Sequence, residues 1–213
     1  MGAMKLLKAV LWIVGILGAI CGVLYLTVVD VWTVPVNDAA MAVSIEPALT
    51  AGDVVIIARR GAPDRGYLMR CPDPRPENPG AYVIARVQGK GGERVTIDSE
   101  VVSIDGKRTP SAFACDPSTI KDPQTDEDVE MTCSWEETGE VKFAALRAKI
   151  RALPLFATTV EHGKVFVVSD NRHMHVDSRD FGAIDPAGCQ HVLYRLWGKD
   201  GLSDAKRRFS FIW

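Results

Sequence analysis

The sequence predicts a mainly β fold behind a single N-terminal transmembrane helix. A long uncharged apolar run near the N-terminus predicts the helix, and short apolar blocks separated by Gly, Pro and Asp predict antiparallel strands. The chain has 213 residues, of which 47% are hydrophobic, and a formal charge of −2. This composition is typical of a globular protein and argues against disorder and against a nucleic-acid partner.

The apolar run covers residues 9–29, AVLWIVGILGAICGVLYLTVV, and contains no charged side chain. About 20 helical residues cross a hydrocarbon core of about 30 Å, so the run is long enough for one span. A cleaved secretory signal, which is the alternative, has an apolar core of only about 7–15 residues. Lys5 and Lys8 precede the run, so the positive-inside rule predicts residues 1–8 in the cytoplasm and residues 30–213 outside.

Short blocks beyond this run have the composition of β strands, because they are rich in Val and Ile and are bounded by turn residues. One of them leads into Asp105-Gly106, which lies between two extended pieces and is a strong signal for a tight hairpin. The predicted strands lie at 54–58, 82–87, 94–97, 100–106, 164–168 and 191–197.

One helix is predicted outside the membrane, in the segment VKFAALRAKIRALPLF. Phe143, Leu146, Ile150 and Leu153 fall at helical spacing, and basic residues occupy the other faces. Such a helix would either pack on the surface of the domain or lie on lipid headgroups.

Four cysteines, Cys71, Cys115, Cys133 and Cys189, lie in the part predicted to be exported, where an oxidising compartment permits disulfides. Three pairings are open. A bond between Cys115 and Cys133 is favoured because these residues flank an acidic segment that contains proline. A zinc site at the thiols is disfavoured, since the sequence has no C-x-x-C motif and no matched pair of histidines near them. We therefore expect no metal and no cofactor.

Three motifs follow the apolar run. SIEPALTAGD begins at Ser44, YVIARVQGKGGERV begins at Tyr82, and GKVFVVSDNRHMHVDSRDFGAI begins at Gly163. Together they resemble the motifs of the bacterial type I signal peptidases, or leader peptidases, which are membrane-anchored serine endopeptidases. The residues that match this family's pattern are Ser44, Pro47, Leu49, Gly52, Asp53, Arg86, Val87, Gly89, Gly92, Glu93, Val95, Asp170, Asn171, Arg172, Asp177, Ser178, Arg179 and Gly182.

The resemblance implies a fold, a chemistry and a location. The fold would be a signal-peptidase-like antiparallel β domain over residues 30–213, with a small inserted subdomain at about 107–160. Ser44, on an ordered edge facing the membrane, would attack the scissile carbonyl and form an acyl-enzyme that water hydrolyses. The partners would be signal peptides of exported preproteins, with small side chains before the scissile bond, and the lipid bilayer. The membrane would be the bacterial inner membrane, with the domain on its periplasmic side.

The family's general base, a lysine, is missing from this sequence. Ala85 occupies its position and cannot accept a proton from Ser44. Lys90 lies further along the same motif, up to about 16 Å away on an extended chain, and is too distant to replace the lysine. By the family's usual mechanism, the chain would be inactive.

A second departure supplies a different base. In the family, a serine of the third motif contacts the lysine, and the matching residue is His175, whose imidazole would point into the vacated space. Histidine has an ordinary pKa of about 6.5 and is therefore largely neutral at pH 7. We hypothesise a dyad of Ser44 and His175, oriented by Asp177 or another carboxylate. His173 is the weaker alternative, and Asp177 would otherwise form a structural salt bridge with Arg179.

Other departures favour loss of activity. Ala42 stands where the family has a serine that donates to the oxyanion, and Val43 replaces a glycine. Removing one oxyanion donor reduces the rate by about 10²–10³. Several such changes together are typical of a decayed or repurposed homologue.

Three explanations follow from these departures: an endopeptidase with a Ser44/His175 dyad, an inactive homologue that binds signal peptides or membrane partners, or an engineered lysine-to-alanine replacement. The last does not account for Ala42, Val43 or His175. A nitrogen of His175 within about 3.2 Å of the Ser44 Oγ would favour the dyad. A structural partner for His175 would favour the inactive homologue.

Overall fold

The computed structural model describes residues 2–149 and 153–212. Strands predominate in them, so the predicted mainly β fold with one N-terminal apolar helix is confirmed. In chain order the elements are α1 (Gly2–Thr27), β1 (Val29–Thr33), α2 (Ala39–Ser44), β2 (Val54–Ala58), β3 (Leu68–Pro72), β4 (Tyr82–Lys90), β5 (Arg94–Asp98), β6 (Val101–Ile104), β7 (Lys107–Arg108), β8 (Ser111–Lys121), β9 (Asp128–Thr138), β10 (Val141–Ala148), β11 (Phe156–Thr159), β12 (Val165–Val168), α3 (Ser178–Phe181), β13 (Gln190–Trp197) and β14 (Ser210–Phe211).

Helix α1 is the one described helix that is long and apolar enough to cross a membrane, over Lys5–Tyr25. None of the span Lys5–Tyr25 is buried inside the protein, as expected for a helix that contacts lipid. The helix ends at Thr27, so Val29, the last residue of the predicted span, already belongs to strand β1. The first strand of the domain therefore begins directly at the end of the apolar helix.

The strands form three sheets in which all the pairs of named strands are antiparallel. The main sheet has the order β1-β2-β13-β3-β4-β12, with β14 paired to β13. A second sheet has the order β10-β9-β8, and a third has the order β11-β5-β6-β7. All six predicted blocks contain strands. Asp105-Gly106 forms the predicted hairpin turn between β6 and β7, with φ of 50° and 76°, as the twist-matched two-residue turn requires.

The prediction of a helix over residues 141–156 is wrong, because this segment begins with strand β10. Phe143 and Leu146 were expected on one helical face, but they lie in different hydrophobic clusters. The alternating residues Val141, Phe143 and Ala145 share one cluster instead, which is the two-residue period of a strand. Pairing with β9 along the full length of β10 outweighs the helical spacing of the side chains. Ile150 lies outside the described residues.

The four cysteines beyond the apolar helix form two disulfides, and the favoured Cys115–Cys133 bond is confirmed. It joins directly opposed residues of β8 and β9. The second bond, Cys71–Cys189, connects β3 to the segment before β13 and lies in a buried apolar cluster of the main sheet. It spans 118 residues of sequence, against 18 for the first bond.

Because a disulfide restricts the unfolded chain more when it closes a longer loop, Cys71–Cys189 should stabilise the domain more. We expect the Cys71→Ala/Cys189→Ala variant to lose about 5 kcal/mol of unfolding free energy and the Cys115→Ala/Cys133→Ala variant about 3 kcal/mol. Denaturant unfolding of the detergent-solubilised chain, followed by circular dichroism, measures both. A larger loss from the Cys115/Cys133 pair would contradict this order.

His191, on β13, stacks on Tyr67 with ring centroids 4.1 Å apart. Burial, and then repulsion from Arg86, lowers the pKa of His191 to about 4. An unfolded histidine has a pKa of about 6.5, so unfolding takes up a proton between these two pH values. The stability contributed by neutral His191 is therefore complete above the unfolded pKa and is lost as the pH falls toward the folded pKa.

We expect the unfolding free energy of the natural chain to fall more between pH 7 and pH 4.5 than that of a His191→Phe variant, which keeps a ring against Tyr67 but does not titrate. Denaturant unfolding at the two pH values measures the difference. His162→Gln, on an exposed turn, is the control and should retain the pH dependence of the natural chain. Equal pH dependence in the natural and His191→Phe chains would show that His191 does not cause the loss of stability at low pH.

Candidate active site

Ser44 is the last residue of α2, a short helix capped by Asp38, whose Oδ1 accepts the Met41 N–H at 2.9 Å. Met41 and Ile45 pack with Ile84 of β4 in the core of the main sheet. Ser44 is 0% exposed, and its Oγ donates to the Met41 carbonyl oxygen at 2.8 Å. The structure thus places Ser44 inside the protein on a helix, whereas the sequence predicted an ordered edge.

The Gly52-Asp53 turn after Ser44 has a structural role. Gly52 adopts a φ of 82°, and a Cβ there would lie only 2.8 Å from the Cβ of Lys199. Asp53 is buried, and its carboxylate pairs with Arg195 at 3.3 Å and Arg207 at 2.6 Å. Through these ion pairs, the turn connects the segment after α2 to the C-terminal part of the domain.

Ala85, at the position of the family's lysine, is 1% exposed on β4. It lies in an apolar cluster with Met69, Val83 and Val87, on the opposite face of the strand from Ile84. The methyl group offers no proton acceptor. Lys90 pairs with an exposed aspartate at the surface and therefore does not replace the family's lysine.

His175 is held by a carboxylate. Its Nδ1 lies 2.9 Å from the Asp180 Oδ2 and 3.9 Å from the Asp177 Oδ1. Within residues 2–149 and 153–212, no hydrogen bond joins His175 to Ser44. The sequence interpretation did not identify Asp180, although its spacing from Asp177 matches the capping box that both form at α3.

Asp177, Ser178 and Arg179 make structural contacts. Asp177 caps α3 and pairs with Arg179 at 2.7 Å, which confirms the salt bridge considered from the sequence. Burial alone would raise the pKa of Asp177, but attraction to Arg179 and the hydrogen bonds it accepts hold that pKa below its usual value. The Ser178 Oγ accepts the Val167 N–H at 3.0 Å, which fixes α3 against β12.

A buried ion pair joins two of the sequence motifs. The Arg86 Nε donates to the Asp170 Oδ1 at 2.7 Å, and both side chains are almost completely buried. A second arginine nitrogen donates to the Gly66 carbonyl, and Phe143 lies under the guanidinium. Burial raises the pKa of Asp170 despite the charge of Arg86. The Asp170 Oδ2 has no hydrogen-bond partner among the described residues.

The residues after Asp170 position the end of α2. The Asn171 N–H donates to the Ser44 carbonyl at 3.0 Å, and the Asn171 side chain donates to the Val43 carbonyl at 3.2 Å. Arg172 pairs with Glu136 of the second sheet at 2.6 Å. The third motif thus connects the serine helix to the main sheet and to the second sheet.

A cleft of about 290 Å³ lies beside these residues, and Ala40 of α2 contributes to it. His173 and His175 line the cleft together with Asp122 and Asp180. The His173 Nδ1 lies 2.8 Å from a carboxylate oxygen of Glu100. The sequence interpretation did not identify Glu100 or Asp122, because both are distant in sequence from the histidines.

Replacing Asp170 by alanine should destabilise the domain by about 3–5 kcal/mol, because Arg86 would remain buried without its counter-charge. Chemical denaturation of the full chain in detergent measures the loss. The matched control is Glu130→Ala, which breaks an ion pair of exposed side chains with Lys149 and should leave the unfolding midpoint unchanged. Similar effects of the two substitutions would show that the buried pair has no special importance.

The model of a protein family described as signal peptidase, peptidase S26, matches residues 6–190. The match extends from the apolar helix to the first residue of β13 and so includes all three motifs. No curated protein matches the chain.

Proposed function

Because this chain belongs to the signal peptidase family, peptidase S26, we propose that it binds the signal peptides of exported preproteins without cleaving them through Ser44. The family consists of serine endopeptidases that act on signal peptides, which supports signal peptides as the ligand class. The proposal depends on one observation: the buried Ser44 hydroxyl donates to the Met41 carbonyl oxygen.

A serine becomes a nucleophile when a neighbouring base accepts its proton as it attacks. The Met41 carbonyl oxygen accepts a hydrogen bond but is not a base, and Ala85 supplies no acceptor. Ala42 likewise provides no hydroxyl donor for an oxyanion. Each of these features impairs hydrolysis while leaving the surrounding fold in place.

A groove next to Ser44 supports the binding role. Its volume is about 550 Å³, and it begins at Pro47 and Ala48, directly after the serine helix. Trp135, which is 37% exposed, adds an apolar surface to its wall. Five charged side chains also line the groove, namely Arg86, Asp116, Lys142, Arg195 and Lys206. Concave sites of this size that combine apolar surface with polar groups are typical of ligand binding. The apolar part of the lining suits the apolar residues of a signal peptide.

The proposed location is the bacterial inner membrane, crossed once by α1, with the N-terminus in the cytoplasm. Lys5 and Lys8 support this orientation through the positive-inside rule. The two disulfides support an oxidising compartment for the domain beyond the membrane.

A second candidate function is cleavage by a Ser44/His175 dyad. One observation favours it: Asp180 holds the His175 Nδ1, as a carboxylate orients the imidazole in Ser-His-Asp enzymes. The dyad requires Ser44 to give up its bond to Met41 and to meet the other ring nitrogen of His175. Catalytic hydrogen bonds often tighten only when substrate binds, so a bound preprotein would have to cause this rearrangement.

Incubation of the detergent-solubilised chain with a preprotein that has a small-x-small cleavage site distinguishes the two functions. We expect no cleavage by the natural chain and none by Ser44→Ala, because Ser44 has no base. Ala85→Lys tests whether the missing lysine alone prevents cleavage, since burial at this position would drive a lysine toward its neutral form, which can accept a proton. Cleavage by the natural chain that is lost in both Ser44→Ala and His175→Ala would establish the dyad instead.

Binding is measured on the same samples with a fluorescent signal peptide. The natural chain and Ser44→Ala should bind equally, and Trp135→Ala should bind more weakly because it removes an apolar wall of the groove. The matched control is Leu155→Ala, which removes an exposed apolar side chain that does not line the groove. Absence of signal-peptide binding by a folded natural chain would refute the proposal.

A further inference from the structure

The groove that begins at Pro47 runs along an edge of the second sheet. Strand β10 is an outer strand of that sheet, with β9 as its neighbour. Three consecutive residues of β10, Lys142, Phe143 and Ala144, line the groove. Because successive side chains of a strand point to opposite faces, one face of the sheet cannot supply all three. The groove therefore lies against the edge of the strand, where its main chain is accessible.

Leu146 identifies the main-chain groups that face this edge. It donates its N–H to the Asp170 carbonyl at 2.9 Å and accepts the Arg172 N–H at 2.8 Å, so both of its main-chain groups face away from β9. The register of β10 with β9 is continuous over this stretch. Residues two apart on an antiparallel strand face the same way. Ala144 and Lys142 therefore also direct their N–H and C=O groups away from β9.

The edge is occupied at Leu146 and open at Ala144 and Lys142. Asn171 adds to it as a parallel bridge at Leu146, which shows that the edge has the geometry to pair. In the part of the chain that the structure describes, the outward N–H and C=O groups of Ala144 and Lys142 form no hydrogen bond. Such an edge can accept an extended peptide as an additional strand, through main-chain hydrogen bonds.

The charges around the groove indicate which peptides it favours. Four of its lining side chains are basic, and Asp116 is the acidic one. Arg86 is neutralised by a buried carboxylate, whereas neither Lys142 nor Lys206 forms an ion pair with a residue that the structure describes. The Lys142 Nζ instead lies 5.7 Å from the centre of the Trp135 ring. This excess of positive charge attracts a peptide with acidic side chains and repels a basic one.

We infer that the groove binds an extended stretch of a preprotein as a strand added to the edge of β10, and that it favours a stretch with acidic residues. The inference rests on the proposed function and specifies which part of a preprotein enters the groove. A helical segment uses its main-chain groups internally and cannot pair with Lys142 and Ala144. The basic N-terminal region of a signal peptide has the same charge as the groove and is disfavoured.

Peptides that are N-methylated at one residue at a time test the added strand. The methyl group replaces the amide hydrogen, so it removes a donor and blocks close approach but leaves the side chain unchanged. The probe is a fluorescent peptide that comprises a signal peptide and the first residues after it. We expect its affinity for the detergent-solubilised natural chain to fall at least about tenfold at every second residue of one stretch, and to change little at the residues between.

This scan separates the inference from the proposed function. Binding that is unaffected by methylation, or affected without a two-residue period, would overturn the inference and leave signal-peptide binding in place. No binding of the unmethylated peptide would overturn both.

Ala144→Pro tests whether the pairing is on β10. Proline removes the outward N–H of this residue, and an edge strand tolerates proline where that N–H is not bonded to the neighbouring strand. We expect binding to weaken about three- to tenfold, because one main-chain hydrogen bond is lost. Circular dichroism verifies that the variant is folded, and the methylation scan on the natural chain does not depend on this variant. Unchanged binding by folded Ala144→Pro would overturn the inference.

Lys142→Gln tests the charge preference. The natural chain should bind a peptide with two aspartates after the signal peptide more tightly than the same peptide with two lysines, and Lys142→Gln should reduce this ratio about two- to fivefold. Lys164→Gln is the matched control, because Lys164 pairs with Glu161 at the surface and does not line the groove. Equal binding of the two peptides by the natural chain would overturn the preference for acidic residues.

Discussion

The buried pair of Arg86 and Asp170 is the contact on which the arrangement of this site depends. Two charges removed from water are favourable only when further contacts satisfy them, and here the Gly66 carbonyl and the Phe143 ring surround the guanidinium. The backbone of Asp170 also accepts the Leu146 N–H, and Asn171 donates to Ser44. One ion pair therefore sets the relative positions of β4, β10 and α2.

This constraint explains how the fold can persist without the family's lysine. Among the matching residues of the third motif, Asp170, Arg172, Asp177 and Arg179 are used in ion pairs, and Ser178 supports the backbone of β12. None of these contacts requires a base at Ala85. The motif therefore predicts the fold more firmly than it predicts catalysis.

Local patterns in the sequence predicted much of the fold. Valine-rich blocks predicted six strands, Asp105-Gly106 predicted its hairpin, and two cysteines predicted a disulfide across β8 and β9. The error at β10 arose because the buried residues Phe143 and Leu146 fit a helical period, although they lie on opposite faces of the strand. Pairing with β9, which the segment itself does not encode, decided in favour of the strand.

The site was harder to predict because its contacts connect residues distant in sequence. His173 meets Glu100, and Arg172 meets Glu136, across separations of 73 and 36 residues. The motif suggested that His175 would fill the space at Ala85, but Asp180 on the following helix holds it, while apolar neighbours enclose Ala85. A local capping box thus determined an orientation that the resemblance alone could not.

The contact between His175 and Asp180 decides which ring atom of His175 could act as a base. With Nδ1 held by Asp180, Nε2 is the ring atom that remains to accept a proton from a serine. The cleft that contains His175 is lined by Ala40 of α2 but not by Ser44, whose hydroxyl turns inward to Met41. A dyad would therefore need Ser44 to give up its bond to Met41 and to approach the Nε2 of His175, while Asp180 keeps its hold on Nδ1. The present contacts consequently favour a structural role for His175, at the capping box of α3, over a catalytic one.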